Sequence, residues 1–438
     1  MRYIYLTINS ALLAIASCCV GFGYIFGNFL TLLLLIPFIL VNAVPMPLNR
    51  KIPDTRLRVC ADGSDLLIEF LPASVISGAA HIAYIIAQGY SVPWLISALT
   101  VFFMLALTFW NGILRVYFTS VQLGIKLRVI GVLCGMVPIA NIIALVKIIG
   151  VTNREVREET EKIKLNESRK NDKICATKYP VLLVHGVFFR DFKYLNYWGR
   201  IPSELEKNGA KIYYGNHQSA LSIEDSGREL AARIREIVSE TGCEKVNIIA
   251  HSKGGLDCRC AITHFGAAPY AATLTTINTP HRGCLFADYL LGKVPEQLKN
   301  TIAGSYNLAL KRLGDSDPDF IAAVTDLTNE NCKLFNERTP DSESVYYQSV
   351  GSKLNHATDG KFPLNFSYHI VKHFDGENDG LVSETSFPWG NCYKYLKTDG
   401  RRGISHGDMI DLNRENIKDF DVREFYVQLV SDLKNNGY

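Results

Sequence analysis

The chain has 438 residues, 48% hydrophobic and 20% charged, which is long enough for two or more domains. A formal net charge of +3 speaks against a nucleic-acid partner. The eleven cysteines are odd in number and form no C-x-x-C pair, which excludes the usual zinc and redox spacings; buried free thiols in a reducing compartment are expected. Residues 3–44 are almost uncharged and predict two membrane helices, near Tyr3–Val20 and Tyr24–Val44, hinged at Gly21 and Gly23. Only Arg2 marks a positive start and a second apolar segment follows at once, so a retained hairpin fits better than a cleaved signal. A polar loop, Pro45–Asp65, carries Arg50, Lys51, Arg56 and Arg58. A third span is expected near Leu66–Ala87, with Glu69 and His81 inside it, and a fourth near Val92–Trp110. Asn111–Lys126 reads as an interfacial helix. A fifth apolar segment, Leu127–Ile149, is interrupted by Gly131, Gly135, Pro138 and Asn141, and either spans or re-enters. Residues 151–175 are dense in Arg, Lys and Glu and read as a charged linker.

These features divide the chain into an all-α transmembrane domain over 1–150, the linker over 151–175, and a third region over 176–438. The basic loops place the N-terminus in the cytoplasm. The side taken by the C-terminal region depends on whether segment five crosses, and the cysteine usage leans toward the cytoplasm.

From residue 178 short apolar strands alternate with amphipathic helices, as a mostly parallel sheet covered on both faces requires. Val181–Val184 is a buried strand ending in His185-Gly186-Val187. A helix over Ile201–Lys207 stops at Asn208-Gly209, and Lys211–Tyr214 is the next strand. Ser226–Thr241 carries Leu230, Ile234 and Ile237 at helical spacing. Then comes Val246-Asn-Ile-Ile-Ala-His-Ser-Lys-Gly-Gly255, an apolar run that ends in small residues around Ser252. Strand, tight turn and helix start in that order make a nucleophile elbow, the signature of an α/β-hydrolase. A strand over Thr273–Ile277 leads into Thr279-Pro-His-Arg-Gly283.

From about Tyr179 onward the chain resembles the bacterial true lipases, the triacylglycerol lipases of the α/β-hydrolase fold. The matching residues are Tyr179-Pro-Val-Leu-Leu-Val-His-Gly186, Tyr197-Trp198, Ile201-Pro202, Thr241-Gly242, Lys245-Val-Asn247, Ala250-His-Ser-Lys-Gly-Gly255, Thr279-Pro-His-Arg-Gly283 and Asn378-Asp-Gly-Leu-Val382, with a late histidine. Residues 1–175 lie outside the resemblance. A serine needs a general base, and the base a carboxylate to orient it. The order Ser, acid, His along the chain is met by Ser252, Asp379 and His406. His406 is the only histidine after Asp379. Asp375 and Glu377 are rivals for the acid, but Asp379 alone holds the position that the resemblance marks.

The oxyanion needs backbone N–H donors. One is expected from Lys253, which follows the nucleophile; the resemblance implies that the other is Val187. Alanine replaces the usual first glycine of the elbow, and Lys253 stands where glutamine is common. Its side chain is either salt-bridged or available to an anionic lipid. The resemblance makes His251 and His281 structural and the amphipathic stretch Pro295–Leu313 either a lid or an ordinary cap helix. It also implies structural calcium at Asp359 and Asp408, although Leu412 replaces a further ligand and both carboxylates could equally face solvent; no cofactor is required. The expectation is a multi-pass, membrane-anchored serine hydrolase acting on a lipid ester. The alternatives are a phospholipase or acyltransferase at the same site, and a membrane protein whose hydrolase domain is vestigial.

Overall fold

The structure is a computed structural model and describes residues 1–187, 196–293, 295–297, 303–304, 307–308, 311 and 318–438. It divides into two compact units, Met1–Ser168 and Arg169–Tyr438.

The N-terminal unit is helical: α1 (Arg2–Ser17), α2 (Cys19–Phe26), α3 (Leu35–Ala43), α4 (Thr55–Gln88), α5 (Val92–Thr119), α6 (Gly124–Cys134) and α7 (Ala140–Ser168). By length and composition α4 and α5 can each cross a membrane, and α1 with α2, bent by 55°, can make a third span. Apolar composition alone does not reveal the breaks. The chain turns at Cys18, and Gly27 takes a left-handed conformation before a 3-10 helix over Phe29–Leu34, which leaves Phe29–Ala43 as a short apolar helix. The expected polar loop is shorter than 45–65, because the Asp54 side chain accepts from the amide of Leu57 at 2.8 Å and starts α4 there. Ser91 caps α5 in the same way, accepting from Trp94 at 3.3 Å, and α5 absorbs most of the expected interfacial helix. Segment five is split between α6 and the start of α7. The charge-dense stretch that follows continues α7 to Ser168, with Val156 and Ile163 packed against Ile52, Leu57 and Ala61.

The C-terminal unit is built on a six-stranded sheet in the order β2-β1-β3-β4-β5-β6. The strands are β1 (Val181–Val184), β2 (Ile212–Tyr214), β3 (Val246–His251), β4 (Ala271–Ile277), β5 (Tyr346–Ser352) and β6 (Cys392–Leu396), and every neighbouring pair is parallel. Parallel strands need crossovers, which here are helices on both faces. Strand side chains alternate between two cores. Val181 and Leu183 pack with Trp198, Ile201, Tyr426 and Val427, while Leu182 and Val184 pack with Leu230, Ile234, Ile248 and Ala250. The helix expected from Leu230, Ile234 and Ile237 spans Ile223–Thr241; all three are fully buried, and Ser222 caps it by accepting from Asp225 at 3.1 Å. The unit is an α/β-hydrolase fold, and its strands deliver their carboxyl ends to one side of the sheet, where such folds place their sites. All eleven cysteines are free.

Candidate active site

Ser252 follows β3 directly and has φ +56°, the left-handed region that non-glycine residues rarely adopt. The conformation is held from both sides. The Ser252 amide donates to the Ile277 carbonyl at 2.9 Å, and Thr279 Oγ1 donates to the Ser252 carbonyl at 2.7 Å. The small neighbours have a direct cause. A Cβ on Gly254 would lie 2.4 Å from the His185 carbonyl oxygen, and one on Gly186 would lie 2.7 Å from Ser252 Cβ. The helix Gly254–His264 starts two residues after the serine, which therefore lies at the positive end of its dipole.

Asp379 and His406 meet. His406 Nδ1 lies 2.6 Å from Asp379 Oδ2, and the His406 amide donates to the Asp379 carbonyl at 2.9 Å. Asp379 is wholly buried, yet its carboxylate is well supplied with donors. Oδ1 accepts from the amides of Leu381 and Val382 at 2.9 and 2.8 Å, and Oδ2 also accepts from Asn278 Nδ2 at 2.6 Å. Such a carboxylate holds one face of the imidazole and leaves Nε2 for the nucleophile. The two rivals are engaged elsewhere: Glu377 pairs with Lys353, whose ammonium holds its carboxyl below the usual range, and Asp375 accepts from the amide of Leu285 at 3.2 Å. The His406 ring packs on His251, the residue before Ser252, with centroids 4.4 Å apart. Among the described residues Ser252 Oγ makes no hydrogen bond, so base and acid are joined here and nucleophile and base are not.

The remaining candidates fall into place around this core. His251 is buried and shares a 2.7 Å hydrogen bond with Tyr197 Oη, which also accepts from the Gly186 amide at 3.1 Å. Burial and then the neighbouring His406 push His251 well below its ordinary pKa. His281 is likewise buried, bonded to Thr276 Oγ1 at 2.9 Å and stacked on Trp389, and burial with Arg259 beside it keeps it neutral. Burial raises the thiols of Cys258 and Cys284 well above their ordinary value, so neither supplies a thiolate. Lys253 does not reach toward an anionic lipid: its side chain is 1% exposed and Nζ lies 2.6 Å from Asp257 Oδ1. The lid stretch Pro295–Leu313 lies largely outside the described residues, including Leu298, Ile302, Tyr306, Leu310 and Leu313.

Asp359 and Asp408 converge on one loop but are already partnered. Asp359 accepts from the amides of His356 and Gly403 at 2.9 and 3.1 Å; Asp408 accepts from the Ser405 amide and Arg402 Nη2, both at 2.9 Å. The Arg402 guanidinium already balances the Asp408 carboxylate. Among the described residues no group of three or more His, Cys, Asp or Glu could hold a metal ion. The donor set does not fit calcium, which takes six or more oxygens. Asn278 escaped the sequence reading, although an asparagine at the carboxyl end of a strand, here at φ +47°, is a recognisable signal.

The family described as "Putative serine esterase (DUF676)" matches residues 182–353, which hold the elbow and both expected oxyanion donors. A triacylglycerol lipase of Pseudarthrobacter phenanthrenivorans is 36% identical over 184 residues, 39% of this chain and 57% of the relative. The C-terminal unit is thus similar to a serine-esterase family over residues 182–353 and to triacylglycerol lipases beyond it. A Vibrio cholerae triacylglycerol lipase is 28% identical over 287 residues, covering 60% of this chain and 89% of the relative. A Staphylococcus hyicus lipase of known structure aligns at a TM-score of 0.47 with 18% identity, over 59% of this chain and 97% of that one. The chain spans 57% and 51% of the length of the two curated relatives that it matches at 36% identity.

Proposed function

We propose that the protein is a membrane-associated serine hydrolase that cleaves carboxylic esters of lipids through an acyl-enzyme on Ser252. The observation that carries the reading is the 2.6 Å contact between His406 Nδ1 and the buried Asp379 carboxylate, beside a serine at φ +56° on the end of β3. Names of related proteins as triacylglycerol lipases support the lipid ester. Helices α4 and α5 support membrane association, which would keep the hydrolase where its substrate is concentrated.

Ser252 Oγ attacks the ester carbonyl as His406 Nε2 takes its proton, and the amides of Val187 and Lys253 receive the developing oxyanion. Asp379 stabilises the imidazolium that forms. Collapse of the intermediate expels the alcohol, which leaves with the proton held on His406. Water then attacks the acyl-enzyme with the same histidine as base, releasing the acid and restoring Ser252.

The test is an ester chain-length series on the full chain in detergent, with Ser252→Ala beside it. Hydrolysis of long-chain acylglycerols that is lost in the alanine variant is expected. Equal activity in the alanine variant would remove Ser252 as nucleophile, and a preference for short water-soluble esters would remove the lipid.

A further inference from the structure

The proposed reaction uses the Lys253 amide but not its side chain. That side chain turns inward, with Nζ 2.6 Å from Asp257 Oδ1 and 3.3 Å from Ser226 Oγ. Asp257 lies one turn later on the helix that begins at Gly254, so the pair is wound against the first turn of the elbow helix. Both side chains are buried, 1% and 2% exposed. A buried ion pair adds little net stability once desolvation is counted, so stability alone does not account for it.

The pair continues to a second element. Asp257 Oδ2 lies 3.9 Å from His217 Nε2, and the His217 ring stacks on His185 with centroids 4.0 Å apart and planes 11° from parallel. The His185 ring spans two carbonyl oxygens, that of Gly186 at 2.9 Å and that of His217 at 3.1 Å. The Gly186 oxygen and the Val187 N–H belong to one planar peptide, so a group that holds the oxygen also sets where the N–H points. At the other end, Lys253 is the N-cap residue of the elbow helix, and its anchored side chain restrains the torsions that aim its own N–H. One buried run of side chains thus ends at both expected oxyanion donors.

We propose that Lys253 and Asp257 are positioning residues, whose buried pair, continued through His217 and His185, holds the amides of Val187 and Lys253 aimed at the oxyanion. The proposal rests on the serine-hydrolase reading. It explains why a lysine can stand where a glutamine is common: the position serves through an inward anchor, not through contact with substrate.

The test uses the full chain in detergent, a water-soluble oxygen ester, and the matching thionoester, whose sulfur is the weaker hydrogen-bond acceptor. Asp257→Asn keeps the shape and one acceptor oxygen for Nζ, while Lys253→Met with Asp257→Leu removes both buried charges together. In both variants kcat on the oxygen ester should fall by about 10- to 100-fold with KM within about threefold, as for weakened oxyanion donors. The loss on the thionoester should be several-fold smaller, because less of its transition state depends on those amides. A merely structural role would lower both esters alike. Equal losses on the two esters, or kcat within about threefold of the parent in Asp257→Asn, overturn the proposal. If the double variant does not fold, Asp257→Asn alone decides by the same ratio. Failure of the parent itself to hydrolyse esters, judged against Ser252→Ala, would instead sink the hydrolase reading.

Discussion

The two units differ most in what they expose. In the C-terminal unit the strand residues Val181, Leu182, Leu183 and Val184 are wholly buried, and buried polar groups such as Asp379 are hydrogen-bonded. In the N-terminal unit Phe102, Phe103, Phe118 and Met136 are 61–93% exposed, whereas Asp65, Glu69 and Glu155 are buried. Its buried acids are partnered: Arg2 donates to Asp65 at 2.7 Å and Asn9 to Glu69 at 2.7 Å. Glu155 accepts from Arg56 at 2.6 Å, from Ser120 Oγ at 2.5 Å, and from the amides of Val121 and Gln122. A unit that turns large apolar and aromatic side chains outward suits an apolar surrounding, and one that buries its apolar strands suits water. The same physical rule, that a buried polar group needs a partner, operates around Asp379 and His406 in one unit and among the helices of the other.

Four experiments can break or sharpen this contrast. The largest effect is expected at the site. Ser252→Ala and Asp379→Asn should each lower kcat by roughly 10⁴-fold or more, with little change in melting temperature; melting that shifts as much as activity would mean that the carboxylate supports the fold rather than the reaction. Next, Glu155→Ala should destabilise the N-terminal unit by about 2–5 kcal/mol, because it leaves the amides of Val121 and Gln122 and the Ser120 hydroxyl without their acceptor, at about 1–3 kcal/mol for each buried orphan, while Arg56 keeps the Thr119 carbonyl. Thermal melting in detergent reads the loss, and an unchanged kcat on a soluble ester would show that the two units are energetically independent.

A smaller effect is expected from Asn278→Ala, which removes one donor from Asp379 Oδ2. It should cost about 1–3 kcal/mol of transition-state stabilisation, read as a lower kcat with KM unchanged.

The smallest effect is a pH dependence. Burial pushes the Asp257 carboxyl up to about 7, although the Lys253 ammonium pulls it down. A carboxyl whose folded pKa lies above its unfolded value of about 4 weakens the fold as pH rises between the two, and has no such effect below both. Lys253→Met removes the lowering cause and raises the folded pKa further, so its melting deficit should be nearly constant below about pH 6 and grow above about pH 7. A deficit independent of pH would show that Asp257 does not feel Lys253.

Much of the C-terminal unit was legible because its signals are local. A buried run such as Val181–Val184, the helical spacing of Leu230, Ile234 and Ile237, and the small residues around Ser252 each lie within one window of chain, where strand, helix and turn preferences act. The order Ser252, Asp379, His406 was readable, but the donation of Asn278 to Asp379 was not, since it joins residues 101 positions apart. The helix breaks at Cys18 and Gly27 escaped for a related reason: hydropathy counts apolar residues and is blind to where the backbone turns.

Lys253 shows the division most clearly. The sequence by itself determined that a lysine follows Ser252, one helical turn before an aspartate, and led to the expectation that its amide borders the oxyanion. Whether the ammonium met solvent, lipid or carboxylate was decided by tertiary structure, because only the packing of the elbow helix against Ser226 and His217 closes water out and makes Asp257 its nearest partner. Local pattern sets what a residue can do; burial, which depends on segments far apart in the chain, selects which of those things it does.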